Sequence, residues 1–155
     1  MKSKVSQADE IILSPIGVIH SPFTEKDHMP IQASRSQEIG IVEVDTKFVE
    51  GLQDIEGFSH IFLIYAFHRS YSYSLRVTPF LDHKERGLFS TRHPCRPNPI
   101  GFSIVRLLSV EGNRLTIQGV DVLDQTPLLD IKPYVPDFDE RTGVSSGWYE
   151  TRSKQ

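Results

Sequence analysis

What most restricts this chain is how its apolar residues are interrupted. Runs rich in Ile, Val and aromatic residues fall at 11–20, 39–44, 58–67, 101–110, 114–120 and 128–134. Each has strand length and is bounded by turn-forming residues. Such side chains suit a pleated surface, and the breakers prevent any run from growing into a long helix. The clearest connection is Glu111-Gly112-Asn113, which predicts a hairpin between its flanking runs. One short helix is expected at 45–52, with Asp45 as N-cap and Gly51 near its end. Strand–helix alternation is missing and no GxGxxG follows a run, so a doubly wound nucleotide-binding sheet has no support. The pattern predicts an all-β sandwich or barrel.

A length of 155 residues fits one domain. A domain of this size buries roughly 68–70 % of its unfolded surface and needs no staple. Residues 1–10 read as a flexible arm, 11–140 as the folded domain and 141–155 as a C-terminal tail, in which Trp148 and Tyr149 are expected to dock. Cys95 is the only cysteine, which excludes an intramolecular disulfide and a multi-cysteine metal site. The histidines at 20, 28, 60, 68, 83 and 93 show no ligand spacing, so no metal is expected. The apolar run at 61–67 is too short to span a membrane, and the first fourteen residues lack the apolar stretch of a secretory signal. A cytoplasmic protein without a membrane partner is the expectation.

Charge is uneven. The net charge of −3 argues against bulk attraction to nucleic acid. Yet residues 83–96 carry Lys84, Arg86, Arg92 and Arg96 against Glu85, a net +3. Residues 121–140 carry six acids against Lys132, a net −5. The basic set is a candidate for phosphate contacts.

Two segments concentrate chemistry. In Ser90–Gly101, prolines at 94, 97 and 99 fix their own backbone angles and push His93, Arg96 and Asn98 out of the helical region. A stiff, extended loop follows, and its polar side chains have little entropy left to lose on binding. A rigid connection between strands is the plainer alternative. In the second segment, Asp124-Gln125-Thr126-Pro127 has turn chemistry. Asp130, Lys132 and Tyr134 share one strand face, either solvent-facing or the wall of a polar pocket. Cys95 has a neighbouring arginine but no nucleophile elbow around it, and reads as a semi-buried thiol. Exposed aromatics such as Tyr71 and Tyr73 point weakly to pairing of two copies.

The motifs Gly87-Leu88-Phe89-Ser90-Thr91-Arg92, Arg96-Pro97-Asn98-Pro99-Ile100-Gly101 and Asp121-Val122-Leu123-Asp124-Gln125-Thr126-Pro127, continued by Asp130-Ile131-Lys132-Pro133-Tyr134, resemble the TrmO/TsaA-like family. Blocks at 15–22 and 52–60 match it in order, and the resemblance covers about residues 14–139. Gln125 stands where the family commonly has glycine, and the bacterial tRNA enzymes carry a further C-terminal domain.

The resemblance implies a small single-domain β-barrel with one or two short helices, working as a homodimer with cofactor near the subunit interface. It implies an S-adenosylmethionine-dependent methyltransferase acting on N6 of the modified adenosine, threonylcarbamoyladenosine, next to the tRNA anticodon. A small-molecule methyltransferase and a non-catalytic cofactor-binding module are the alternatives. By match to the family's segments, Ala33, Ser34, Arg35, His68, Arg69, Arg92, Phe102, Gln118, Gly119, Val120 and Asp121 are the expected S-adenosylmethionine contacts. Arg92 suits the cofactor carboxylate, and Gln118 to Asp121 suit adenine through backbone groups and an apolar wall. Asn98, Asp121 and Asp124 are the candidates for orienting or deprotonating the acceptor nitrogen, and Asn98 and Asp124 are taken as the catalytic pair.

Overall fold

The structure, a computed structural model, describes residues 10–25 and 36–152. Six strands close into an antiparallel barrel: β1 (Gly17–His20), β2 (Ile39–Val44), β3 (His60–Ala66), β6 (Ile100–Glu111), β7 (Arg114–Gln118) and β8 (Thr126–Pro133). Around the barrel the order is β1-β2-β7-β6-β3-β8, and β8 returns to β1. The long connection from β3 to β6 folds its own two-stranded ribbon, β4 (Arg76–Val77) with β5 (Arg86–Gly87). Two single-turn helices follow β8, α1 (Pro136–Asp139) and α2 (Trp148–Thr151). None of the described helices is long and apolar enough to cross a membrane.

Strand alternation builds the core. Along β3 and β6 every second side chain turns inward. The inward set from the six strands is almost purely aliphatic: Ile19, Val42, Ile61, Leu63, Val105, Leu115, Ile117 and Leu128 are fully or nearly fully buried. A closed ring leaves no strand at a sheet edge along its whole length. The expected hairpin forms at Glu111–Arg114, with Gly112 at positive φ. Asn113 adds a side-chain bond to the Val44 carbonyl at 2.7 Å.

Three expectations need correction. The first strand is confined to Gly17–His20, whereas 11–20 was expected. Ile11, Ile12 and Leu13 are exposed, because the pairing partners of β1 run out at Val44 and Leu128. Residues Thr46–Leu52 wind as a 3-10 helix, and Asp45 makes no side-chain cap. The ribbon, with two-residue strands, was not anticipated. Asp130 and Lys132 do share a face. They pair at 3.0 Å on the barrel exterior, where Tyr134 packs on Phe62.

Candidate functional site

The topology delivers most of the singled-out residues to one rim. At that rim β1, β3 and β7 end, at His20, Ala66 and Gln118, and β2, β6 and β8 begin, at Ile39, Ile100 and Thr126. His68 and Arg69 follow β3, Asn98 and Phe102 flank the start of β6, and Gln118 to Asp124 bridge β7 to β8. Ala33, Ser34 and Arg35 belong to the connection entering β2 and lie outside the described residues.

The start of β6 is fitted against aromatic rings. A Cβ on Gly101 would lie 2.5 Å from the Tyr65 ring and 2.6 Å from the Phe67 ring, so only glycine fits without moving them. Phe67 donates its N–H to the Pro99 carbonyl at 2.7 Å, tying the proline loop to the end of β3. The next inward residue, Ser103, is a buried hydroxyl in an otherwise apolar row. It donates to Asp121 Oδ1 at 2.5 Å, so its one proton is committed and the Tyr65 hydroxyl must donate to it, at 2.8 Å. Burial first, and the Asp121 charge second, push the Tyr65 phenol far above its ordinary range and keep it neutral. A buried relay, Tyr65 to Ser103 to Asp121, therefore fixes the Asp121 carboxylate at the rim.

The proline loop is stiff for a reason beyond its prolines. Proline brings no N–H, so the loop carbonyls need other donors. Arg96 supplies them: its Nη1 donates to Thr91 at 2.9 Å and His93 at 3.2 Å, with a longer bond to Leu88 at 3.4 Å. Its guanidinium also lies over the Phe89 ring at 5.8 Å. Arg96 is thus a clamp inside the loop, which corrects its grouping with phosphate-contacting residues. Arg92 projects the other way, its guanidinium 5.0 Å from the centroid of Phe102 on the barrel exterior. Asn98 is exposed, and its side-chain amide makes no hydrogen bond among the described residues. Cys95 is half-buried beside Ser70.

The segment after β7 turns at Gly119, whose φ of 94° strains any other residue. The N–H groups of Gly119 and Val120 both point to the Glu38 carbonyl, at 2.9 and 3.4 Å. The Val120 side chain is in the core. The expected apolar wall for adenine is therefore not Val120, which can meet a ligand only through its backbone. The Gln118 amide donates to Gln37 Oε1 at 3.3 Å.

Asp124 has a different setting from Asp121. Its Oδ1 accepts the Ser21 N–H at 3.0 Å and its Oδ2 the Gln125 amide at 3.3 Å, with His20 Nδ1 at 3.9 Å. Burial works against its charge. Donors from Ser21 and Gln125, with His20 behind them, outweigh this and hold the carboxyl below its usual value. Ser21 Oγ also donates to the Val122 carbonyl at 2.5 Å, so Asp124 belongs to a clasp between the end of β1 and the start of β8. Gln125 sits in the left-handed region at φ 66°, which accounts for the glycine common at this place in the family. Its amide bond to His20 Nδ1 at 3.0 Å offsets part of that strain.

His68 is held neutral: burial, then the Arg69 charge, lowers its pKa below the ordinary 6.5. Arg69 itself donates to the Thr24 carbonyl at 3.1 Å. Tyr65, Ser103 and Ser21 escaped the reading of the sequence. A lone serine in the inward row Gly101, Ser103, Val105, Leu107 was the available signal for Ser103. A cleft of about 520 Å³ opens between Ile16, Phe48, Leu52, Ile55, Phe58 and Pro133, at the opposite rim, and shares no residue with this constellation.

Residues 18–140 match the family model of the tRNA-methyltransferase O N-terminal domain. A probable S-adenosyl-L-methionine-binding protein of Pyrococcus abyssi is 57 % identical over 90 % of this chain and 77 % of its own length. The mouse tRNA (adenine(37)-N6)-methyltransferase is 35 % identical over 90 % of this chain, which spans 34 % of that enzyme. The crystal structure of TrmO from Pseudomonas aeruginosa superposes with a TM-score of 0.78 at 38 % identity, covering 94 % of this chain and 65 % of that one. With the same barrel and a match over most of its length, the chain belongs to the family of the tRNA-methyltransferase O N-terminal domain.

Proposed function

We propose that this chain is an S-adenosylmethionine-dependent methyltransferase acting on N6 of the adenosine beside the tRNA anticodon, in its threonylcarbamoyl form. The observation that carries this is one rim holding an arginine over an aromatic ring, a neutral histidine and a relay-oriented carboxylate, in a chain of this family. The residues fit the cofactor. Arg92 suits its carboxylate, and the exposed Phe102 ring suits its cationic sulfur. A neutral His68 adds no repelling charge.

When bound, S-adenosylmethionine would supply a methyl group from a positively charged sulfur: as the acceptor nitrogen forms the new N–C bond, the sulfur–methyl bond would break to leave a neutral thioether, and the nitrogen would release one proton. Asp121, aligned by Ser103, orients that N–H and takes its proton. Exposed Asn98 positions the base. Asp124, engaged by Ser21 and Gln125, acts by holding the loop rather than by touching substrate, a revision of its expected catalytic part. Alignment is the main demand of such a displacement, and a carboxylate locked from beneath meets it.

The protein acts in the cytoplasm as a homodimer. Support for the dimer is the outer face of β6, where Ile100, Phe102 and Ile104 are exposed in succession, followed by Arg106 and Leu108, beside Ile64 on β3. Outward positions on β7 are polar, so a second copy is the occupant that this apolar strip suits, and it would lie close to Phe102. The test is calorimetric titration with S-adenosylmethionine, followed by transfer of labelled methyl to tRNA bearing the modified adenosine. Binding with transfer supports the reading. Binding without transfer to any tRNA overturns it in favour of a regulatory module.

A further inference from the structure

Residues 67–99 are unlike the rest of the chain in charge. From Arg69 to Arg96 there are six basic residues and two acids, a net +4, so with −3 overall the remaining residues sum to −7. Within this connection the ribbon pairs with no barrel strand. Its surface is crowded with aromatic rings: Tyr71 is 91 % exposed, Phe80 81 % and Phe89 74 %, with Tyr73 also exposed. Exposed rings at this density mark a contact surface.

The ribbon is braced, not loose. Asp82 accepts from Arg86 Nε at 2.7 Å, and Arg76 pairs with Glu85 at 2.5 Å. The tail reinforces it: the Trp148 indole N–H donates to the Ser90 carbonyl at 2.8 Å, and Arg86 lies 5.4 Å over the Trp148 ring. Both acids are thus engaged by arginines of the segment, which keeps its net charge of +4. Both ends of the connection return to the rim that holds His68, Arg92 and Asn98.

We propose that this arm is the docking surface for the unpaired loop of an RNA, with Tyr71 and Phe80 as stacking platforms and Lys84 as a phosphate contact. This rests on the tRNA reading and names the surface that serves it. Sequence-tolerant binding of unstacked bases uses aromatic faces beside cations. The net −7 elsewhere repels phosphates, which confines the backbone of such a loop to the arm. Ser70, next to Tyr71, donates to the Pro94 carbonyl at 3.3 Å, so the start of the arm adjoins the proline loop that carries Asn98.

The test compares wild type with Tyr71→Ala/Phe80→Ala and with Lys84→Ala. Binding of a labelled anticodon stem-loop is followed by anisotropy, S-adenosylmethionine affinity by calorimetry, and mass by light scattering. The double variant is expected to bind the stem-loop on the order of ten- to a hundred-fold more weakly, with cofactor affinity and mass unchanged. Lys84→Ala is expected to reduce the slope of log K against log salt by about 0.7. Unchanged stem-loop affinity and methylation KM in the double variant, with an active wild type, overturn this proposal alone. A dimeric wild type whose double variant is monomeric also overturns it, because the rings would then serve a second copy. A wild type that binds the cofactor but neither binds nor methylates tRNA overturns the tRNA reading and this proposal with it.

Discussion

The two rims of the barrel divide the chain's properties in an instructive way. One holds an apolar cleft beside Phe48, Ile55 and Phe58. The other is open, but it gathers the relay to Asp121, the Arg92–Phe102 stack and the neutral His68. An apolar cleft and the placement of chemistry therefore point to opposite ends. What decides between them is orientation: charged and polar groups at the second rim are fixed by partners that a merely solvated face would not need.

The largest expected effect tests that contrast directly. Asp121→Asn is expected to lower kcat for methyl transfer by roughly 10²–10³-fold with little change in cofactor affinity, read by single-turnover assay. Phe48→Ala at the opposite rim is expected to leave kcat within about two-fold, against the usual range for uninvolved surface changes. Equal losses in the two variants would abolish the distinction.

Gly101→Ala comes next. The added methyl must displace the Tyr65 and Phe67 rings, at a cost of about 1–3 kcal/mol in denaturant melts. Because Tyr65 supports Ser103, activity should fall further than stability alone explains, whereas a comparable overpacking at the hairpin rim should lower stability only.

Tyr65 also gives a pH signature. Its folded pKa is raised, so the unfolded chain ionises first. The stability it contributes is complete below the unfolded value of 10 and is lost as pH rises beyond it. Tyr65→Phe should flatten the alkaline limb of the stability profile. His68 acts at the other extreme. Its folded pKa is depressed, so its contribution is complete above 6.5 and lost as pH falls through the lowered folded value. Asp124, also depressed, adds to that acid loss below the carboxylate range. His68→Gln should remove the histidine part of the acid limb in thermal melts.

The smallest effect concerns the clasp. Gln125→Gly relieves the left-handed strain but removes the His20 bond, and the net change is expected within about 1 kcal/mol. A larger stabilisation would mean that the His20 contact contributes little.

Legibility in the sequence followed the length scale of each feature. β2 was read with its observed bounds, because six residues between turns leave one register with Val42 and Val44 inside. The hairpin at Gly112 was equally plain. The 45–52 helix was read in place but wound tighter, since its polar start lacked a working cap. Two-residue strands such as β4 and β5 carry no period, so the ribbon was invisible. At the site, residues with local signatures stood out, Arg92 and Asn98 among them. The relay did not, because Tyr65, Ser103 and Asp121 meet only when β3, β6 and the β7–β8 connection come together.

Closure has one more consequence. Every barrel strand has both neighbours, so none is an edge strand along its whole length. Single pairing survives only where strands overhang, as at Ile100–Val105 of β6, which pair with β3 alone. Among the described residues the ribbon β4–β5 differs, since each of its strands has a single partner throughout. Cross-chain β-addition, whether swapping between copies or the first step toward an ordered aggregate, is open along the full length of a strand there, and the charged pair Arg76–Glu85 guards it.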